Sequence, residues 1–190
     1  MATWLVTGGA GFIGSHLCDA LVARGDRVRV LDDLSSGDEA NLPAGTELII
    51  GDAADPAKLD QALDGVAGCF HLAAIASVQR GVAEWVATHH ANLTATVSIF
   101  DAVRRTGRAV PVVYASSAAV YGDCRALPIH EGSDKQPLSA YGADKLGCEL
   151  HARVAGHVHG IPAAGLRFFN VYGPRQDPRS PYSGAISIFC

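Results

Sequence analysis

The sequence predicts a doubly wound α/β fold, a parallel sheet with helices packed on both faces. Three observations carry this reading. Six short β-rich runs alternate with helix-length stretches along the chain. Strand candidates such as "LIIG" and "VVYA" are almost continuously apolar, which suits strands buried on both sides. A glycine-rich turn also follows the first strand and opens the first helix.

Taken in order, "TWLVTG" (3–8) reads as the first strand, followed by a helix from Phe12 to Arg24. "RVRVLD" (27–32) is the second strand, with Val28, Val30 and Leu31 as its apolar positions. "ELIIGD" (47–52) is the third; a short helix then opens at Pro56, whose fixed φ suits a first helical position. "GCFHLAA" (68–74) is the fourth strand. A long helix is expected from Val82 to Arg105, closed by Gly107. "AVPVVYAS" (109–116) is the fifth strand, with Pro111 keeping its first residues out of the central ladder. A helix over 139–160 ends at Gly160, and "AAGLRFFN" (163–170) is the sixth strand. Between Tyr121 and Ser139 lies a long polar loop containing Pro128, and loops of that length in compact domains usually serve function.

Composition narrows the class. With 190 residues, 48% hydrophobic and 18% charged, the chain can bury a sizeable core and is not expected to be disordered. A net charge of −4 with no basic stripe argues against nucleic acid. The apolar stretches are strand-length and interrupted, so no membrane span is expected. "MATWLVTGG" enters a strand with no basic leader or cleavage site, and the five cysteines are scattered without a C-x-x-C pair. Both point to a cytoplasmic protein with reduced thiols. The closest histidine groups, His89–His90 and His157–His159, lack Cys or acidic partners at metal-ligand spacing, so no metal site is expected.

"TGGAGFIG" (7–14) contains G-x-G-x-x-G at Gly9, Gly11 and Gly14, and G-x-x-G-x-x-G at Gly8, Gly11 and Gly14. A turn without Cβ atoms lets backbone approach a pyrophosphate, and the helix N-terminus offers free N–H groups and partial positive charge. At the end of the second strand stands Asp32, with Asp33 beside it. A carboxylate there accepts hydrogen bonds from adenosine ribose hydroxyls and repels a 2′-phosphate, favouring NAD over NADP.

"SAYGADKLG" (139–147) contains one of only three lysines, placed four residues after Tyr141, so Tyr141 and Lys145 share one helix face. A phenol titrates near 10, and bringing it towards 7 requires about 4 kcal/mol. Burial works against this and a nearby cation works for it, so an ammonium with an oxidised nicotinamide could supply the shift. Upstream, Ser116 or Ser117 in "YASSAAVYG" should face the crevice beyond the strand ends and orient a substrate proton.

Together "TGGAGFIG", "LDDLSSG", "GD" (51–52), "HLAA" (71–74), "SSAAVYG", "YGADK" and "LRFFNVYGPRQDP" resemble an extended short-chain dehydrogenase/reductase of the NAD-dependent sugar-nucleotide epimerase/dehydratase group. The resemblance spans essentially the whole chain. It implies a Rossmann NAD-binding domain over 1–170 and the beginning of a smaller substrate-binding lobe over 171–190. It implies a Ser117, Tyr141 and Lys145 catalytic set. It also implies cofactor contacts at Gly8, Gly11, Phe12, Ile13, Gly14, Asp32, Asp33, Asp52, Ala53, Leu72, Ala73, Ala74, Tyr141 and Lys145. Asp52 would face the adenine; Ser117, Tyr141 and Asn170 would meet the substrate, Asn170 near its phosphates.

Family dehydratases carry acidic residues where this chain has Ala118 and Ala119, so the resemblance implies 4-epimerisation of a UDP-sugar, UDP-glucose/UDP-galactose or the N-acetylated pair. A net sugar-nucleotide oxidoreductase and a non-catalytic NAD-binding module are the rival readings. Dimers through paired helices occur in the family, and a homodimer formed by the two long helices would follow that pattern. Family members continue past "GAISIFC" (184–190), which reads as an apolar helix just begun, so the resemblance implies an incomplete chain.

Overall fold

The computed structural model describes residues 1–177. Six parallel strands form one sheet: β1 (Thr3–Thr7), β2 (Arg27–Asp32), β3 (Glu47–Ile50), β4 (Gly68–His71), β5 (Val112–Ser117) and β6 (Ala163–Phe168). Their spatial order is β3-β2-β1-β4-β5-β6. The order reverses between β1 and β4, so the crevice above their carboxyl ends is the topological switch point where such sheets bind ligands.

Local chemistry sets the helix ends. α1 (Phe12–Ala23) starts after Gly11, and α2 (Pro56–Leu63) is capped by Asp55, whose Oδ1 accepts from the Ala57 and Lys58 amides. α6 (Ala140–His159) is capped by Ser139 Oγ, which accepts from the Gly142 amide, and stops at left-handed Gly160.

Strand alternation divides the core in two. Leu5 and Leu31 point to the face covered by α2, by α5 (Ala95–Arg105) and by α6, through Leu59, Leu63, Ile99, Val103 and Cys148. Val6, Val28 and Val30 point to the other face, against Cys18 and Leu21 of α1. Cover is lopsided: on this second face α1 is the helix that packs into the core among the described residues. β6 is an edge strand with Leu166 half exposed.

Two expected elements differ. β4 ends at His71 rather than 74, because Leu72–Ala74 leave the ladder to line the crevice. The expected helix over Val82–Arg105 is not uniform. α3 (Val78–Ala83), capped by Ser77, breaks at Glu84 with φ −128° and ψ 53°, and α4 (Trp85–His89) runs through a π turn (His90–Thr94) into α5. The π turn aims Asn92 inward. Its Oδ1 accepts from the Ile75 amide (2.8 Å) and its Nδ2 donates to the Ile75 carbonyl (3.2 Å), pairing the backbone of the segment that follows β4. The tail helix expected at 184–190, and Cys190 with it, lies outside the described residues.

Candidate active site

The glycine turn sits where β1 delivers it. Gly8 has φ +69°, and a Cβ there would lie 2.6 Å from the Ala73 amide nitrogen, so only glycine lets the β1 and β4 ends approach this closely. The first turn of α1 has no side-chain cap and no acidic residue, leaving its amides free for an anion. Asp32 is buried at the end of β2. Its Oδ2 accepts from the Ala10 amide and its Oδ1 from the Leu34 amide, both at 2.9 Å, so it also braces the turn. Asp33 binds the Ser35 amide and hydroxyl.

Gly8, Gly11, Asp32, Asp33, Asp52, Ala53, Leu72, Ala73 and Ala74 line one cavity of about 210 Å³. Phe12, Ile13, Ser117, Tyr141, Lys145 and Asn170 line a second of about 560 Å³. The two share Leu72 and Ala74, forming one crevice across the switch point. Gly14 lines neither; a Cβ there would strike the Gly8 carbonyl oxygen, so glycine at this position lets turn and helix pack closely. The donor set fits a dinucleotide: free amides at the bend, a carboxylate at the ribose end and a cation, Lys145, at the far end.

At the far end, Ser117 closes β5 and caps the short turn Ala118–Tyr121, accepting from the Ala119 amide. Gly142 brings α6 onto that turn, since any Cβ at 142 would lie 2.7 Å from the Ala119 carbonyl oxygen. Tyr141 is thereby carried close to Ser117, and both line the same cavity. Lys145 is buried, with Nζ 5.8 Å from the Tyr141 ring centroid. Ser116, the alternative hydroxyl, is committed elsewhere and donates to Glu149 at 2.6 Å.

The electrostatics show burial at work on both groups. Burial pushes the Tyr141 phenol above its ordinary 10.0, and the nearby Ser117 hydroxyl only partly opposes it. Burial likewise lowers Lys145. Proximity to Lys145 therefore does not by itself make this phenol acidic.

Residues that sequence reasoning missed lie just behind the site. His71 is buried between Thr7 and Thr96, 2.7 Å from Thr7 Oγ1 and 3.0 Å from Thr96 Oγ1. Thr96 donates to the Asn92 carbonyl, so it must accept from His71 Nε2–H; Nδ1 then accepts from Thr7, whose oxygen takes the Ala73 amide. This chain of bonds ties glycine turn, β4 and π turn together. Desolvation drives the imidazole pKa down to about 3, keeping it neutral. On the other side of Ser117, Glu149 pairs with Arg167 at 2.7 Å, and Arg167 reaches Tyr121 Oη and the Glu131 carbonyl. Motif spacing could have flagged His71 within "HLAA"; nothing in periodicity marks Asn92.

This sheet order and crevice define a dinucleotide-binding α/β protein of the short-chain dehydrogenase/reductase type. Comparison with known proteins is more specific. Residues 4–189 match the NAD dependent epimerase/dehydratase family, and the chain belongs to it. It is 37% identical over 171 residues to UDP-glucose 4-epimerase of Azospirillum brasilense, covering 89% of this chain and 49% of that protein. A UDP-N-acetylglucosamine 4-epimerase from Methanobrevibacter ruminantium, solved with UDP-N-acetylmuramic acid, is 39% identical with TM-score 0.92, covering 99% of this chain and 61% of that one. The UDP-glucose 4-epimerase of Thermus thermophilus, solved with NAD, is 37% identical with TM-score 0.89, covering 95% and 59%. The chain thus spans about half to three fifths of the length of these relatives.

Proposed function

We propose that this chain carries the NAD-binding and catalytic core of a UDP-sugar 4-epimerase, acting on UDP-glucose/UDP-galactose or the N-acetylated pair. The observation that carries the reading is the convergence of Ser117, Tyr141 and Lys145 on one cavity with Asn170, at the far end of the crevice that starts at Gly8 and Asp32. The similarity to solved 4-epimerases supports it.

The Gly8–Ile13 turn, Asp32, Asp33, Asp52 and the Leu72–Ala74 backbone would hold NAD, which would serve as a hydride acceptor and donor at the sugar C4. Tyr141 removes the proton of the sugar 4-hydroxyl as its C4–H bond breaks, and Ser117 hydrogen-bonds the same oxygen. Because burial raises the Tyr141 phenol, deprotonation needs positive charge from Lys145 and from the oxidised nicotinamide together. The 4-keto sugar turns its other face, and Tyr141 gives its proton back as the alcohol reforms with inverted C4. Asn170 binds the substrate phosphates. Ala118 and Ala119 supply no second base, so no proton α to the ketone is removed and no elimination follows.

Incubating the protein with NAD and each UDP-sugar of the two pairs tests this. The 4-epimer should form from at least one pair, and net accumulation of NADH in its place would establish an oxidoreductase. The reading also takes the protein as cytoplasmic and as a homodimer formed by the helices over 85–105 and α6. Exposed Leu150, Val154 and Val158, four residues apart on α6, support the dimer, and sedimentation of the intact chain tests it. Among the described residues no helix is long and apolar enough to cross a membrane.

A further inference from the structure

β6 ends at Phe168, and the chain from Phe169 to Asp177 belongs to no helix or strand. Asn170, Val171, Tyr172 and Gln176 of this segment nonetheless form one wall of the cavity that holds Ser117, Tyr141 and Lys145. A wall with no ladder behind it keeps its shape only where other contacts hold its backbone.

Those contacts run to α1. The Pro174 carbonyl lies 2.9 Å from His16 Nε2; a carbonyl only accepts, so Nε2 carries the proton and donates. One turn further along the same face of α1, Asp19 Oδ2 pairs with Arg175 Nη2, and Arg175 Nη1 donates to the Asn41 carbonyl at 3.4 Å. Asn41 in turn donates through Nδ2 to the Ala10 carbonyl of the glycine turn, at 2.9 Å. Gly173 passes over Phe12, where a Cβ would sit 3.7 Å from the ring, and Phe12 stacks edge-on against His16.

The three polar ties of Pro174 and Arg175 join residues 134 to 158 positions apart, so they are tertiary contacts and not turn chemistry. Arg175 makes its pair from φ +67°, a left-handed conformation that non-glycine residues seldom adopt and that persists where the surroundings fix it. Neither His16 nor Asp19 lines the crevice itself. α1 thus presents the dinucleotide turn at its start and, on its next two turns, the ties that hold the far wall.

We propose that His16 and Asp19 are positioning residues that moor the Asn170–Gln176 wall of the substrate cavity onto α1. The role assigned to the wall rests on the epimerase reading; the mooring itself is tested without turnover.

Trypsin cuts after Arg175 only when this segment opens, so the cleavage rate reports the mooring. Asp19→Asn should raise that rate about two- to fivefold, the range for an exposed ion pair, and His16→Leu should do the same through its lost hydrogen bond. Cleavage after Arg153, in α6, should not change. On NAD-loaded wild type, saturating UDP-glucose or UDP-N-acetylglucosamine should slow cleavage after Arg175. The double variant should bind that UDP-sugar about fivefold more weakly, because a smaller fraction of the protein has its wall in place. Its NAD affinity should stay close to that of wild type, whereas a general loss of fold would weaken both ligands. An unchanged Arg175 cleavage rate in Asp19→Asn and His16→Leu overturns the mooring, and Asp19→Asn alone decides if His16→Leu does not fold. Faster cleavage with UDP-sugar affinity intact overturns the positioning role. Wild type that binds neither UDP-sugar contradicts the epimerase reading instead, and the cleavage rates still decide the mooring.

Discussion

Acid should weaken this fold through one histidine. His71 is 3% exposed, bridges Thr7 and Thr96, and titrates at about 3 against an ordinary 6.5. The unfolded chain takes up a proton at this position below pH 6.5, whereas the folded chain refuses it until near pH 3. Its contribution is thus complete above pH 6.5 and drains away as pH falls through the window between those values. Each unit inside that window removes up to about 1.4 kcal/mol, so going from pH 7 to pH 5 should remove about 2 kcal/mol. That figure holds for any folded value below about 4, since the slope is set by the unfolded histidine. Urea unfolding at pH 7, 6 and 5 measures it. His71→Gln should be less stable at pH 7, having lost the Thr7–His71–Thr96 bridge, yet should show a stability curve flatter by about 2 kcal/mol over the same interval. If wild type and variant lose stability in parallel, His71 is not the acid-sensitive group and the buried neutral bridge is refuted.

Gly142→Ala pushes a methyl against the Ala119 carbonyl oxygen, at 2.7 Å, and against Pro137. It should cost about 1–3 kcal/mol of stability and lower kcat more than NAD affinity, because it parts Tyr141 from the Ser117 turn; kinetics beside NAD titration separate the two. Asp32→Asn leaves one acceptor oxygen where two amides, those of Ala10 and Leu34, now bind. It should weaken NAD binding about tenfold or more, on the scale of one to two charge-assisted hydrogen bonds, and wild type should bind NAD more tightly than NADP by fluorescence titration.

What could be read in the sequence was whatever repeats at a fixed period or sits at a forced turn. All six strands lie where alternating β-rich runs put them, and the Pro111 argument correctly kept 109–111 out of β5. The Gly8–Gly14 turn was legible because pyrophosphate approach and a positive φ both demand glycine. The break at Glu84 and the π turn around Asn92 were not, because one extra residue per turn does not disturb helical spacing enough to show. Strand position alone left Ser116 and Ser117 open and the family resemblance pointed to Ser117; that Glu149, on another element, claims Ser116 was not legible in the sequence. Tyr141 and Lys145 lie on the helix the spacing put them on, and the raised Tyr141 phenol is the burial effect that the sequence reading set against the ammonium and the nicotinamide.

The most direct test compares wild type with Tyr141→Phe, which removes one oxygen and nothing else. Both should bind NAD with similar affinity. Wild type, given NAD and a UDP-sugar, should approach a mixture of 4-epimers without accumulating NADH, and the variant should form none. Substantial epimer formation by Tyr141→Phe, or steady NADH release by wild type, would contradict the account.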